Sequence, residues 1–115
     1  MTEPNRRERE QQRRRAEILS AALSVFAREG FHGTTMAEIS RVSEYPLGTI
    51  YKFFQSKEQI YHDLIVDKAR QLETGLLAVL DCKELPPLER LRGCLRVKAR
   101  FFRKNREYLK LFLAK

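Results

Sequence analysis

Apolar residues recur at helical spacing in segment after segment of this chain. Ile18, Leu19, Ala22, Leu23, Val25 and Phe26 share one face, which predicts a helix over 16–29 closed by Gly30 as a left-handed C-cap. Thr35 followed three residues later by Glu38 is a capping box, and Met36, Ile39 and Val42 give the short helix behind it one apolar face. Ser43-Glu44-Tyr45-Pro46 ends that helix, because Pro46 disfavours a helical conformation at Tyr45 and is itself suited to opening the next. Leu47 to Phe54 follows. Ser56 and Gln59 make a second capping box ahead of a long helix to about Leu80, striped by Ile60, Leu64, Ile65, Leu72, Leu76 and Leu80. Gly75 is where that helix would bend, if it bends. Pro86-Pro87 is a break, and Leu88, Leu91, Leu95 and Phe102 start another amphipathic helix. Asn105 interrupts it before Tyr108, Leu109, Leu111 and Phe112.

Two short helices around a tight corner are the ingredients of a helix-turn-helix. In the second of them Ile50 and Phe54 are four apart and can anchor to a core, with Phe53 on the shoulder. Gly48, Thr49, Tyr51 and Lys52 then point elsewhere. Gly48 costs about 1 kcal/mol relative to Ala inside a helix, which makes sense if another surface must approach the backbone there. Thr49 and Tyr51 offer hydroxyl donors and Lys52 a positive charge, the groups that phosphate oxygens accept from. The competing reading is a solvated helix face with an incidental glycine.

From about Ala16 to Leu64 these residues resemble the TetR-type transcriptional repressors. The resemblance is carried by Phe26-Ala27-Arg28-Glu29-Gly30-Phe31, Gly33-Thr34-Thr35-Met36, Ile39, Gly48-Thr49-Ile50-Tyr51, Phe54 and Ser56-Lys57-Glu58, in order and at family spacing. The chain departs from the family at the corner. Ser43-Glu44-Tyr45-Pro46 stands where Ala-Gly-Val-Ser is common, so Pro46 occupies the place of a hydroxyl cap that can also touch phosphate. The resemblance implies an all-α fold. A three-helix DNA-binding domain over 13–57 is joined by a connector helix to the first helices of an effector-binding and dimerisation domain over 58–115. It further implies that Thr34, Thr35, Thr49, Tyr51 and Lys57 hold phosphates. Leu47, Lys52 and Phe53 would sit where bases are read, with Gly48 permitting close approach. The partners implied are double-stranded DNA with a pseudo-palindromic operator, a second copy joined through helices beyond this chain, and a small-molecule effector. Family members continue with further helices, so the chain is expected to be a fragment.

Composition changes this picture in a few places. The net charge of +8 suits a polyanionic partner, but residues 1–57 carry only +3 of it and residues 58–115 carry +5. Residues 1–12 mix Arg6, Arg7 and Arg9 with Glu3, Glu8 and Glu10, and are expected to form a flexible arm with too little apolar surface to order itself. The arm either adds affinity through counterion release or is simply solvated. A helix over 88–106 is basic and amphipathic, which leaves a second function open: a module that binds an acidic protein or a membrane surface. No apolar leader is visible and no run is long enough to cross a bilayer, so a cytoplasmic setting with reduced Cys82 and Cys94 is expected. His32 lacks a second ligand at metal-site spacing, and no residue set resembles an active site; neither metal, cofactor nor enzymatic activity is expected.

Overall fold

The structure, a computed structural model, describes residues 5–113 apart from the side chain of Phe112. Its elements are α1 (Arg6–Glu29), α2 (Met36–Ser43), α3 (Leu47–Phe53), α4 (Lys57–Leu80), α5 (Pro87–Lys104) and α6 (Arg106–Leu113). The fold is all-α, as the spacing predicts. Two compact units divide after Leu64, so α4 gives its first two turns to one unit and the remainder to the other. The expected domain boundary at 57 falls earlier than this division. Ile60 and Leu64 account for the difference, since both are buried in the core of the first unit.

That first unit, the head, is built on one apolar seam. Ile18, Ala22, Val25 and Phe26 of α1, Ile39 of α2, Ile50 of α3, Phe54 and Ile60 are all sealed from solvent. Each contributes about 1.5–3 kcal/mol of transfer free energy except the smaller Ala22. Burial matters most for α2 and α3, whose 8 and 7 residues are too few to stay helical in water unaided. Local bonds then fix their ends. Thr35 Oγ1 accepts from the Glu38 amide at 3.1 Å, and Ser56 Oγ accepts from the Gln59 amide at 3.2 Å. The reciprocal half of the second capping box is shifted by one residue, with Gln59 Oε1 accepting from the Gln55 amide at 2.8 Å.

The amino-terminal segment differs from expectation. Residues 1–4 lie outside the described residues, but 6–12 are helix rather than an irregular arm. Asn5 caps it, accepting from the Glu8 amide at 2.9 Å. Glu10 pairs with Arg13 and, at 3.6 Å, with Arg14, while Arg13 reaches Glu17 at 3.0 Å. Extending a helix already nucleated by the core adds a bond for each residue fixed, and pairs three or four apart assist it. At the other end, Gly30 has φ 78° and ψ 164°, outside the left-handed helical region and in one that only glycine adopts readily.

In the second unit α4 and α5 meet over glycines. A Cβ on Gly75 would lie 3.0 Å from Val97 Cγ1, and one on Gly93 only 2.6 Å from Val79 Cγ1. Gly75 is therefore a point of close approach inside an unbroken α4. Asn105 separates α5 from α6: its amide nitrogen donates to the Phe101 carbonyl at 2.8 Å, and its side-chain oxygen accepts from Lys68 Nζ at 2.7 Å. No residue of α5 is buried, and Leu88, Leu91 and Leu95 stay 57–59% exposed.

Gly33→Ala and Gly93→Ala are each expected to cost about 1–3 kcal/mol through overpacking. The first would drive a Cβ to 2.4 Å from the Glu29 carbonyl oxygen, the second against a stiff valine. Gly48→Ala meets nothing within 4 Å and is expected to leave stability equal or up to about 1 kcal/mol higher. Denaturant midpoints at unchanged slope would check all three.

Candidate nucleic-acid interface

Anchoring of α3 decides what it displays. With Ile50 and Phe54 at 0% and 1% exposure, helical geometry turns Leu47, Gly48, Tyr51 and Lys52 to the outside as neighbours one turn apart. All four are exposed, Tyr51 by half. Thr49 is half-buried beside them, and Phe53 is a half-buried shoulder whose ring lies 6.4 Å from that of Phe54. Pro46 is the N-cap residue of α3, exposed and extended, and supplies no side-chain cap. Thr35 is exposed at the start of α2, where its oxygen accepts the Glu38 amide while its own proton remains available outward.

Two expected phosphate ligands sit differently. Thr34 is 1% exposed, and its hydroxyl donates to the Gly30 carbonyl at 2.6 Å. It is a loop staple, closed off from any ligand. Lys57 is half-buried, and its ammonium donates to the carbonyls of Phe31, Thr34 and His32 at 2.8, 3.0 and 3.4 Å while lying 4.5 Å from the centre of the Phe31 ring. An ammonium has three protons, and three carbonyls take them. Lys57 thus clamps the start of α4 to the loop before α2, so that neither it nor Thr34 is presented with the exposed edge of α3 in this structure.

The corner between α2 and α3 is held from several directions. Glu44 adopts a left-handed conformation, φ 62° and ψ 20°, at the end of α2. Ser40 Oγ donates to the Tyr45 carbonyl at 2.7 Å, and the Tyr45 hydroxyl donates to Glu17 Oε1 at 2.7 Å. That bond to Glu17 pushes the Tyr45 phenol above its ordinary range. Beside it, Arg15 bridges from α1 to Asp63 of α4 at 3.2 Å and overlies the Phe54 ring at 5.7 Å. Glu38 takes Arg41 at 3.0 Å and Arg28 at 3.3 Å; the bond from Arg41 holds its carboxyl below the usual carboxylate range. Glu17 and Tyr45 were not apparent as a pair from sequence, since one lies in α1 and the other in the corner after α2, and only packing joins them.

Other candidates resolve plainly. His32 is exposed with its ring edge-on to Phe31, and among the described residues no three His, Cys, Asp or Glu side chains gather as a metal site. Cys82 and Cys94 are free thiols. Among the described residues no helix is long and apolar enough to cross a membrane. Within the second unit Leu72, Leu76, Leu77, Phe101, Phe102 and Tyr108 line an open apolar groove of about 460 Å³, with Lys68 at its polar edge.

The profile described as "Bacterial regulatory proteins, tetR family" matches residues 18–64. Over 64 residues the chain is 41% identical to the HTH-type transcriptional regulator YfiR of Bacillus subtilis, covering 56% of this chain and 28% of that protein. It is 34% identical over 80 residues to the HTH-type transcriptional repressor KstR2 of Mycolicibacterium smegmatis, covering 70% of this chain and 38% of that one. A solved TetR-like transcriptional regulator from Rhodococcus sp. RHA1 superposes with a TM-score of 0.75 at 29% identity, over 96% of this chain and 57% of that one. The chain thus spans between about a quarter and three-fifths of the length of these relatives.

Lys57→Met should weaken the head by about 1–3 kcal/mol, because three carbonyls lose their donor. The salt dependence of duplex binding should stay as it is in the parent. A Lys57 that contacted phosphate would instead lower the salt slope by about 1 on substitution.

Proposed function

We propose that this chain, whose residues 18–64 match the profile of the tetR family of bacterial regulatory proteins, is a sequence-specific DNA-binding transcriptional regulator. One observation carries the reading: a short helix locked by Ile50 and Phe54 presents Leu47, Gly48, Tyr51 and Lys52 together on an open edge. That edge enters the major groove. Gly48, with open space around it, lets the helix backbone approach the duplex. Lys52 donates to base acceptors, Leu47 can offer only apolar contact such as to a thymine methyl, and Tyr51, Thr49 and Thr35 donate to phosphates.

Two such heads reading a pseudo-palindromic operator require a dimer, with half-site centres ~34–36 Å apart or a multiple of it. The mode proposed is repression, released when a small molecule favours a state of the dimer in which the heads no longer match the operator. The repressor name carried by KstR2 of Mycolicibacterium smegmatis supports this mode. The apolar groove beside Phe101, Phe102 and Tyr108 supports a site for the small molecule. The work proposed is regulation at DNA in the cytoplasm, not catalysis.

One observation favours a different reading. α5 buries none of its residues and sets Leu88, Leu91 and Leu95 beside many arginines, as a helix would that lies on an acidic partner.

Selection of bound sequences from a random duplex pool separates the two readings. Enrichment of a two-fold symmetric site is expected. Lys52→Ala should relax base preference at defined positions by about 1–3 kcal/mol, and Tyr51→Phe should weaken all sequences alike. If no sequence is enriched and Arg96→Ala with Arg100→Ala abolishes whatever binding there is, α5 is the working surface instead.

A further inference from the structure

The leading end of α3 has little of its own to hold it. Ile50 is the first buried residue of that helix, Leu47 and Gly48 ahead of it are exposed, and Pro46 provides no side-chain cap. Glu44, two residues before Pro46, has the left-handed backbone of φ 62° that residues with a side chain seldom adopt. Such a conformation persists only where its surroundings determine it. Between Glu44 and Pro46 stands Tyr45, and its amide, carbonyl and hydroxyl are all engaged. The amide donates to Ser43 Oγ at 3.3 Å, the carbonyl accepts from Ser40 Oγ at 2.7 Å, and the hydroxyl donates to Glu17 Oε1 at 2.7 Å.

Two of these bonds stay within the corner, since both serines belong to α2. The third crosses to α1. Glu17 directly precedes Ile18, which is sealed in the core, so the backbone that carries this acceptor is fixed. Arg13 donates to the same Glu17 oxygen at 3.0 Å and steadies the carboxylate. The bond to Glu17 in turn keeps the Tyr45 phenol protonated, and so a donor, to higher pH than usual. From Ile50 back to Pro46 the chain advances ~6 Å along the helix axis. A tilt of about 10° pivoting on Ile50 therefore moves the leading end by about 1 Å, more than the ~0.5 Å within which a binding site must hold its groups. That end carries the residues that meet base edges in this motif.

We infer that Tyr45 is a specificity-determining positioning residue, whose hydroxyl bond to Glu17 fixes the tilt of α3 and with it the base edges that Leu47 and Lys52 meet. The inference rests on the DNA-binding reading and deepens it, since neither Tyr45 nor Glu17 belongs to the presented edge and neither needs to touch the duplex. The bond is a single half-exposed contact beside a core seam that closes without it. Its work is to decide how sharply one duplex is preferred over another.

The test measures the ratio of affinities for a selected duplex and a random one in the parent chain, Tyr45→Phe, Glu17→Ala, their double variant and Glu17→Gln, with helicity checked by circular dichroism. Tyr45→Phe keeps the ring and loses only the hydroxyl, whereas Glu17→Gln loses the charge and keeps an acceptor oxygen. Tyr45→Phe and Glu17→Ala should each lower the ratio by about three- to tenfold, the span of one net hydrogen bond. The double variant should lose no more than either single one, and Glu17→Gln should stay within about twofold of the parent. If Tyr45→Phe loses the parental helicity, keeps the parental ratio, weakens both duplexes alike or adds its loss to that of Glu17→Ala, Tyr45 does not set specificity through Glu17. A Glu17→Gln variant that falls as far as Glu17→Ala overturns the inference as well, because the charge and not the bond is then at work. A parent that prefers no duplex over another instead overturns the DNA-binding reading, and the role of Tyr45 falls with it.

Discussion

A helix of seven residues has no independent existence in water, so α3 is helical only because the head holds it. Ile50 and Phe54 do the holding. Once these two face inward, the period of the helix leaves no choice about Leu47, Gly48, Tyr51 and Lys52, which must face out. The exposed edge is thus a consequence of core packing. Lys57 acts on the same geometry from the other side, tying the loop 31–34 to the first turn of α4 and so fixing where α2 begins. Neither Ile50 nor Lys57 needs to touch a ligand for the presented edge to depend on it.

The electrostatics divide the labour along the chain. Inside the head, charges are mostly paired across short distances: Arg28 and Arg41 on Glu38, Arg15 on Asp63, Arg13 on Glu17. Exposed pairs of this kind are individually weak. Their effect here is to orient guanidinium groups and to keep the core of the head near neutrality. Excess positive charge is displaced to the helical arm at one end and to α5 at the other. The left-handed Glu44 and the bond between Tyr45 and Glu17 give the corner its shape without the glycine and hydroxyl cap that family members often place there.

Much of the fold was legible because it is written in local spacing. The Thr35 and Ser56 caps, the break at Ser43–Pro46, the inward pair Ile50 and Phe54 and the interruption at Asn105 all depend on residues within one or two turns. What escaped depends on residues far apart. Thr34 and Lys57 have the chemistry of phosphate ligands, and no spacing rule reveals that their donors are taken by carbonyls of the preceding loop. Gly75 resembles a helix weak point until Val97 is seen 3.0 Å from where its Cβ would be. The helix over residues 6–12 was hidden because composition argues against order for a segment alone. It does not register that the segment grows out of a helix already nucleated by a core.

Amide hydrogen exchange of the chain with and without duplex DNA measures the central claim most directly, because it reports which helix the duplex covers. The account predicts slowed exchange over Leu47–Phe53, with 87–104 unchanged. Protection confined to α5, with Leu47–Phe53 exchanging as in the free chain, would contradict it.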